Sequence, residues 1–181
     1  LDRLQRALVQ TRQQIAEVQH RVEQALGAAD ASIFEAHLLV LEDPTLLDEV
    51  TRVTRTEKIN VEAAFSRVAG KYADTLASMH DDYLRERASD MRDVTSRVLD
   101  NLLQRSSRLD LHNLPEPSII VCPDLPPSAT ALIDRKKVLG LATDTGSKTS
   151  HTAIMARALQ IPAIAGLHDI TARLSTGDYV L

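Results

Sequence analysis

His151 stands where a polar loop gives way to a helix. Asp144-Thr145-Gly146-Ser147-Lys148-Thr149-Ser150 leads into it, and Thr152-Ala153-Ile154-Met155-Ala156-Arg157 follows. Thr149 and Ser150 can each cap a helix, and Ile154, Ala158 and Leu159 recur at helical spacing. A helix start leaves backbone N–H groups unpaired and carries the positive end of the dipole, which suits an anion such as phosphate. An unprotonated imidazole nitrogen beside such a cradle is a nucleophile placed for phosphorus. The chemistry these residue types could do is therefore the taking and giving up of a phosphoryl group. A plain cap with a surface imidazole has the same local pattern, and spacing alone leaves both readings open.

The elements that must position this loop follow from periodicity. Leu1, Leu4, Leu8, Ile15, Val18, Val22 and Leu26 make an amphipathic helix stopped by Gly27. Asp30 is placed to cap a second helix, with Ile33, Phe34, His37, Leu38 and Leu41 as its apolar side, ending by Asp43 because Pro44 cannot continue it. Asp43-Pro44 also starts the next helix, as cap and first helical residue, running to about Arg55. Asn60 caps a long stretch that should fold into two antiparallel helices. One stripe is Val61, Phe65, Val68, Tyr72, Leu76 and Met79; the other is Tyr83, Leu84, Ala88, Met91, Val94, Val98, Leu102 and Leu103. The turn falls near Asp81-Asp82. Residues 1–110 thus read as a helical bundle.

From Pro115 the composition changes. Five of the seven prolines lie between Pro115 and Pro127, and β-branched runs begin. Strands are expected at Ser118–Cys122, Lys137–Thr143, Ala163–Ala165 (buried) and Tyr179–Leu181, with a short helix from Ser128 to Asp134. Residues 111–181 read as α/β, so the fold class is α+β in two parts.

Composition excludes several classes. A formal net charge of −4 argues against a general nucleic-acid binder. From Asn113 onward six acids balance six bases, so the helical part carries the whole deficit, which suits a basic protein partner as well as a solvated surface. The single cysteine, Cys122, allows no internal disulfide and fits a reducing, cytoplasmic setting; it is expected as a buried strand thiol. No apolar run approaches the roughly 20 residues of a membrane span. His20, His37, His80, His112 and His168 show no metal-ligand spacing, and no metal site is expected. Leu1 opens in mid-helix pattern, as in a segment of something longer.

Gly146 to Arg157, followed by Ile161-Pro162-Ala163-Ile164-Ala165-Gly166, resembles the phosphohistidine signature of phosphoenolpyruvate-utilising enzymes. It is most similar to that of Enzyme I, the phosphoenolpyruvate-protein phosphotransferase of the bacterial sugar phosphotransferase system. The resemblance runs nearly the whole chain. Ile33 to Asp43 resembles the family's stretch that binds the carrier protein HPr, Met91-Arg92-Asp93-Val94 a second helical landmark, and Asp124 to Ala131 the segment ahead of the phosphohistidine loop. Ser147 and Lys148 depart from the pattern, standing where the family usually has Gly and Arg.

The resemblance implies a helical HPr-binding subdomain (1–110) joined to an α/β swivelling phosphohistidine domain (111–181). His151 would accept a phosphoryl group, through Nε2, from phosphoenolpyruvate and pass it to a histidine of HPr. Thr130, Lys148, Thr149, Ser150 and Arg157 would support the phosphoryl group, although each also has an ordinary role as cap, turn or surface residue. Glu35, Leu38, Leu41, Glu42 and Asp43 would meet the carrier. A first strand before Leu1 is expected, as is a C-terminal barrel that binds phosphoenolpyruvate with Mg²⁺ and provides the dimer contact. This chain by itself should then be a monomer with no cofactor of its own, unable to use phosphoenolpyruvate alone. The alternatives are the phosphohistidine domain of a pyruvate phosphate dikinase or phosphoenolpyruvate synthase, and a nitrogen-branch paralogue of Enzyme I. Those dikinase-type enzymes lack the helical insertion.

Overall fold

Helix signals at the start of the chain are strong and local, and they set the first part of the fold. The structure, a computed structural model, describes residues 1–105, 111, 114–126, 129, 133–147 and 150–180; at 25, 26, 82, 83, 86 and 151 it describes the backbone. It divides into two compact units, Leu1–Arg108 and Leu109–Leu181.

The first unit is helical. α1 spans Asp2–Leu26 and ends at Gly27, whose φ of 103° is a conformation that L side chains rarely adopt. α2 (Ala28–Ala31) is a single turn, followed by α3 (Ile33–Leu41), α4 (Pro44–Glu57), α5 (Val61–Ala77) and α6 (Asp82–Leu102). Two caps fall where the sequence places them, and Asp81, at the expected turn, adds a third. The Asp43 carboxylate accepts from the Thr45 and Leu46 amides at 2.8 and 3.3 Å, Asn60 Oδ1 from Ala63 at 2.8 Å, and Asp81 from Leu84 at 3.2 Å. Asp30 is a correction. It lies inside α2, so it lacks the extended backbone that a cap needs, and α3 starts at Ser32 without a side-chain cap.

α5 and α6 pack along each other and run antiparallel. Arg3 reaches both the Leu102 carbonyl at the end of α6 and Glu62 at the start of α5, while Arg92 pairs with Asp74 at 3.1 Å nearer the turn. Ile15, Phe34, Leu46, Val50, Phe65, Val94 and Val98 form the core, all but removed from water. Each buried side chain of this size stabilises the fold by roughly 1.5–3 kcal/mol.

The second unit is built on a parallel sheet of order β1-β2-β3, with β1 at Ser118–Cys122, β2 at Val138–Thr143 and β3 at Ala163–Ile164. α7 (His151–Ala158) connects β2 to β3, and α8 (Ile170–Arg173) follows. Leu111, Leu125, Ile133, Val138, Leu141, Ala156 and Ile161 make its core.

Three expectations are corrected here. The Ala163–Ala165 run is not a buried strand: β3 is two residues long, pairs only with Leu141 and Ala142 at the sheet's edge, and leaves Ile164 62% exposed. Tyr179 and Val180 form no strand, and Tyr179 is fully exposed. α7 buries Thr152, Met155 and Ala156 rather than Ile154 and Ala158, which face outward. An eight-residue helix carries apolar residues around most of its circumference, so its periodicity does not fix which face is buried. The helix expected from Ser128 to Asp134 lies mostly outside the described residues.

Candidate phosphoryl-transfer site and docking cleft

His151 is the first residue of α7. Ser150 is the N-cap, in extended conformation. Its hydroxyl accepts from the Ala153 amide at 3.3 Å and donates to the Ser147 carbonyl at 3.0 Å. That hydroxyl hydrogen is thus committed within the loop, and giving it to a phosphoryl oxygen would exchange one acceptor for another. The next residue, Thr152, is buried, and its hydroxyl donates to the Leu125 carbonyl, which ties the helix start to the segment after β1.

The loop before His151 is pinned by main-chain contacts. Gly146 has φ 102°, and a Cβ there would lie 3.3 Å from Ala165 Cβ and 3.4 Å from Ser150 Oγ. Gly166, at φ 80°, sits against the Gly146 carbonyl; an added Cβ would come within 3.2 Å of it. Ser147 has no positive φ, so a serine fits where the family pattern favours glycine. The amides of Gly166, Leu167 and His168 donate to the carbonyls of Thr145, Thr143 and Asp144 at 3.2, 3.1 and 2.9 Å.

The Asp144 carboxylate takes both the hydroxyl and, at 3.1 Å, the amide of Thr171. The Thr171 hydroxyl is the main cause that holds the Asp144 carboxyl below its usual range. Neither tie was legible in the sequence, because Asp144 and Thr171, like Thr152 and Leu125, stand 27 residues apart.

Arg157 lies six residues along α7 and is exposed. At about 100° per residue it is turned some 120° around the helix from His151. Thr130, Lys148, Thr149 and the His151 side chain lie outside what is described. Cys122 is a half-buried strand thiol, pushed up to about 11 by burial with Asp124 and Asp144 adding to it, which makes it a poor nucleophile.

In the helical unit the expected carrier-binding residues separate. Glu35 and Glu42 are exposed, Glu42 pairing with Arg12 at 3.1 Å. Leu38 and Asp43 are half-buried, and Asp43 caps α4. Leu41 is corrected: it follows Phe34 and His37 at seven and four residues, shares their inward face, and is buried. Leu39, which was not expected, is 70% exposed instead.

Beside α3 opens a cleft of about 480 Å³, lined by Ala36, Val40, Tyr72, Leu76 and Met91 among others, with Asp43, Glu49, Lys71, Arg87 and Asp90 as its charged groups. The Tyr72 hydroxyl donates to Glu49 at 3.2 Å, and burial, together with Glu49, pushes that hydroxyl's pKa up. Tyr72, Leu76 and Met91 read as core stripe in the sequence; Tyr72 and Leu76 are only half-buried because the stripe opens into this cleft.

His37 is buried. Its Nδ1 donates to the Ile33 carbonyl at 3.0 Å, and Nε2 lies 3.5 Å from Asp93 Oδ2 and 3.9 Å from Asp90 Oδ1. Burial disfavours the imidazolium, but Asp93 above all, with the Ile33 carbonyl and Asp90, outweighs it and raises the pKa. Among the described residues no group of three or more His, Cys, Asp or Glu could hold a metal ion, and no helix is long and apolar enough to cross a membrane.

Comparison with known proteins agrees with this geometry. Residues 1–87 match the family model "PEP-utilising enzyme, N-terminal", and residues 114–181 match "PEP-utilising enzyme, mobile domain". The phosphoenolpyruvate-protein phosphotransferase of Haemophilus influenzae is 41% identical over 169 residues, covering 93% of this chain and 29% of that protein. Its counterpart in Geobacillus stearothermophilus is 41% identical over 180 residues, covering 99% and 31%. The chain thus spans about three tenths of the length of these curated relatives.

Among solved structures, the NMR solution structure of Enzyme I (nEIt) is 40% identical with a TM-score of 0.74, covering 98% of this chain and 71% of that one. The N-terminal domain of Enzyme 1 - Nitrogen is 29% identical with a TM-score of 0.62, covering 91% and 66%. On the strength of the helical unit, the loop and helix that carry His151, and these matches, the chain belongs to the Enzyme I family of phosphoenolpyruvate-utilising enzymes.

Proposed function

We propose that this chain is the phosphoryl-carrier portion of an Enzyme I: His151 takes a phosphoryl group that originates on phosphoenolpyruvate and hands it to a histidine of an HPr-like phosphocarrier. The observation that carries the reading is the placement of His151 as the first residue of a capped helix, behind a glycine loop pinned by its neighbours.

The Nε2 lone pair forms a bond to phosphorus as the phosphorus–oxygen bond to the enolpyruvate leaving group breaks. In the second step the carrier's imidazole nitrogen attacks and the N–P bond breaks. Little covalent work falls to the protein, so the contribution is positioning and charge stabilisation at the helix start. Ser150 and Thr149, with Lys148, Thr130 and Arg157, are the candidates for holding the phosphoryl oxygens.

The carrier docks on the helical unit, where the cleft offers an apolar floor ringed by charge beside the exposed Glu35 and Glu42. Asp43 lines the cleft, and Leu38 of α3 is a further candidate contact. Phosphoenolpyruvate and Mg²⁺ would bind to a barrel outside these residues. The setting is the cytoplasm, where a reduced Cys122 is at home. The nitrogen-branch alternative is disfavoured by the lower identity to the Enzyme 1 - Nitrogen structure, 29% against 40% for the other Enzyme I structure.

The test is incubation with phosphorylated HPr, followed by measurement of acid-labile phosphate on the chain. His151→Ala is expected to abolish labelling while leaving the fold and carrier binding intact, and Arg157→Ala to slow labelling without abolishing it. Undiminished labelling of a folded His151→Ala protein overturns the reading.

A further inference from the structure

The cleft's Arg87 does not stand alone. Its Nη1 donates to Asp90 Oδ2 at 3.1 Å, and Asp90, a residue of the cleft lining, is 1% exposed. Behind Asp90 lies His37, and behind that Asp93; His37 is completely buried and Asp93 nearly so.

The atoms around the ring favour its protonated form. Nδ1 faces a carbonyl oxygen, that of Ile33, and Nε2 faces two carboxylate oxygens. All three are acceptor oxygens: Nδ1 is hydrogen-bonded to the carbonyl, while Nε2 lies near both carboxylates without a hydrogen bond, an arrangement that suits a hydrogen on each ring nitrogen. A neutral imidazole would aim a lone pair at a carboxylate on one side or at a carbonyl on the other. Counting formal charges, Arg87 and a protonated His37 balance Asp90 and Asp93. Without the proton the same four groups sum to −1, with both carboxylates almost removed from water.

We infer that His37 and Asp90 are positioning residues for carrier docking: the protonated His37 holds Asp90 in place, Asp90 aims the Arg87 guanidinium into the cleft, and loss of the His37 proton releases that hold. The inference rests on the docking reading above.

The physical reason Asp90 is the one to move is its location. Asp90 and Asp93 stand three residues apart on one face of α6, so without the imidazolium between them they repel. Asp93 is enclosed, whereas Asp90 borders the cleft and has a path to water. When it swings outward, Arg87, whose side chain is 31% exposed, loses its anchor on that side.

Among the described residues the charged groups acting on His37 are Asp93 and Asp90, both from α6. The folded-state pKa of His37 is raised, so the stabilisation is complete below the unfolded value of about 6.5 and is lost as pH rises through the higher folded value.

The experiment has two arms on the intact chain. The first is ring ¹⁵N NMR of His37 from pH 6 to 9. It should show both nitrogens protonated at pH 7, with titration above the usual histidine range. A neutral ring at pH 7 overturns the inference.

The second arm is calorimetric titration with an HPr-like phosphocarrier at both ends of that range. Wild-type affinity should fall several-fold with rising pH. His37→Gln and the isosteric Asp90→Asn should each weaken binding about three- to tenfold at pH 6 and remove the part of the pH slope that does not belong to the carrier. Arg87→Ala should weaken binding and flatten the slope alike. Full binding by folded Asp90→Asn with an unchanged slope overturns the inference while leaving the docking reading standing; no binding by the wild type overturns both.

Discussion

The two units solve different problems with different bonds. The helical unit gets its order from side chains: stripes on α1, α3, α4, α5 and α6 bury two phenylalanines and a set of branched aliphatics, and carboxylate and amide caps fix the helix ends. The α/β unit gets the order that matters for chemistry from its backbone. The loop ahead of His151 is held by two positive-φ glycines stacked on each other and by amides of residues 166–168. Its sheet has three strands in the described residues and leaves Ile119, Leu139 and Ile164 well exposed. On the proposed function, the docking surface takes its shape from packed side chains, and the nucleophile takes its position from main-chain bonds, which have less freedom to relax.

Truncating Phe65, only 1% exposed in the helical core, should give the largest effect. Phe65→Ala is expected to cost about 3–5 kcal/mol in urea unfolding followed at the helical unit. Amide protection of residues 141–147 should be unchanged if the α/β unit keeps its own core. Equal loss in both units would dissolve the distinction.

A smaller effect separates backbone strain from close packing. Gly27 and Gly146 share nearly the same φ, 103° and 102°, but a Cβ meets nothing within 4 Å at Gly27 and meets Ala165 and Ser150 at Gly146. Either change to alanine should cost on the order of 1–3 kcal/mol for the left-handed conformation. Gly146→Ala should cost more than Gly27→Ala and should alone slow phosphoryl transfer. Equal stability losses with equal transfer rates would mean that the pinned loop is not what positions His151.

The smallest effect is a pH response confined to the α/β unit. The Asp144 carboxyl is held low chiefly by the Thr171 hydroxyl, so its contribution is present above the ordinary carboxylate value of about 3.9 and is lost as pH falls through the lower folded value. The Gly146, Gly166 and Thr171 amide resonances should therefore move together in acid, and Asp144→Asn should abolish that step. A step that survives in Asp144→Asn would assign it to another group.

What the sequence determined by itself is what depends on neighbours within a turn or two. The boundaries of α1, the caps Asp43, Asn60 and Ser150, the turn before α6, the strand Ser118–Cys122 and the helix start at His151 are all set by spacing and cap chemistry, so they are legible in order along the chain. What only the tertiary structure decided depends on partners brought from afar. That Leu41 turns inward while Leu39 stays out, that Met155 and Ala156 rather than Ile154 meet the core, and that Ala163–Ile164 lies at an edge follow from what each element packs against. The Asp144–Thr171 tie and the enclosure of His37 between two aspartates arise the same way. Hydrophobic burial has no direction in sequence; a face becomes inner only when another element covers it, and a buried charge is tolerable only where the fold supplies its counter-charge.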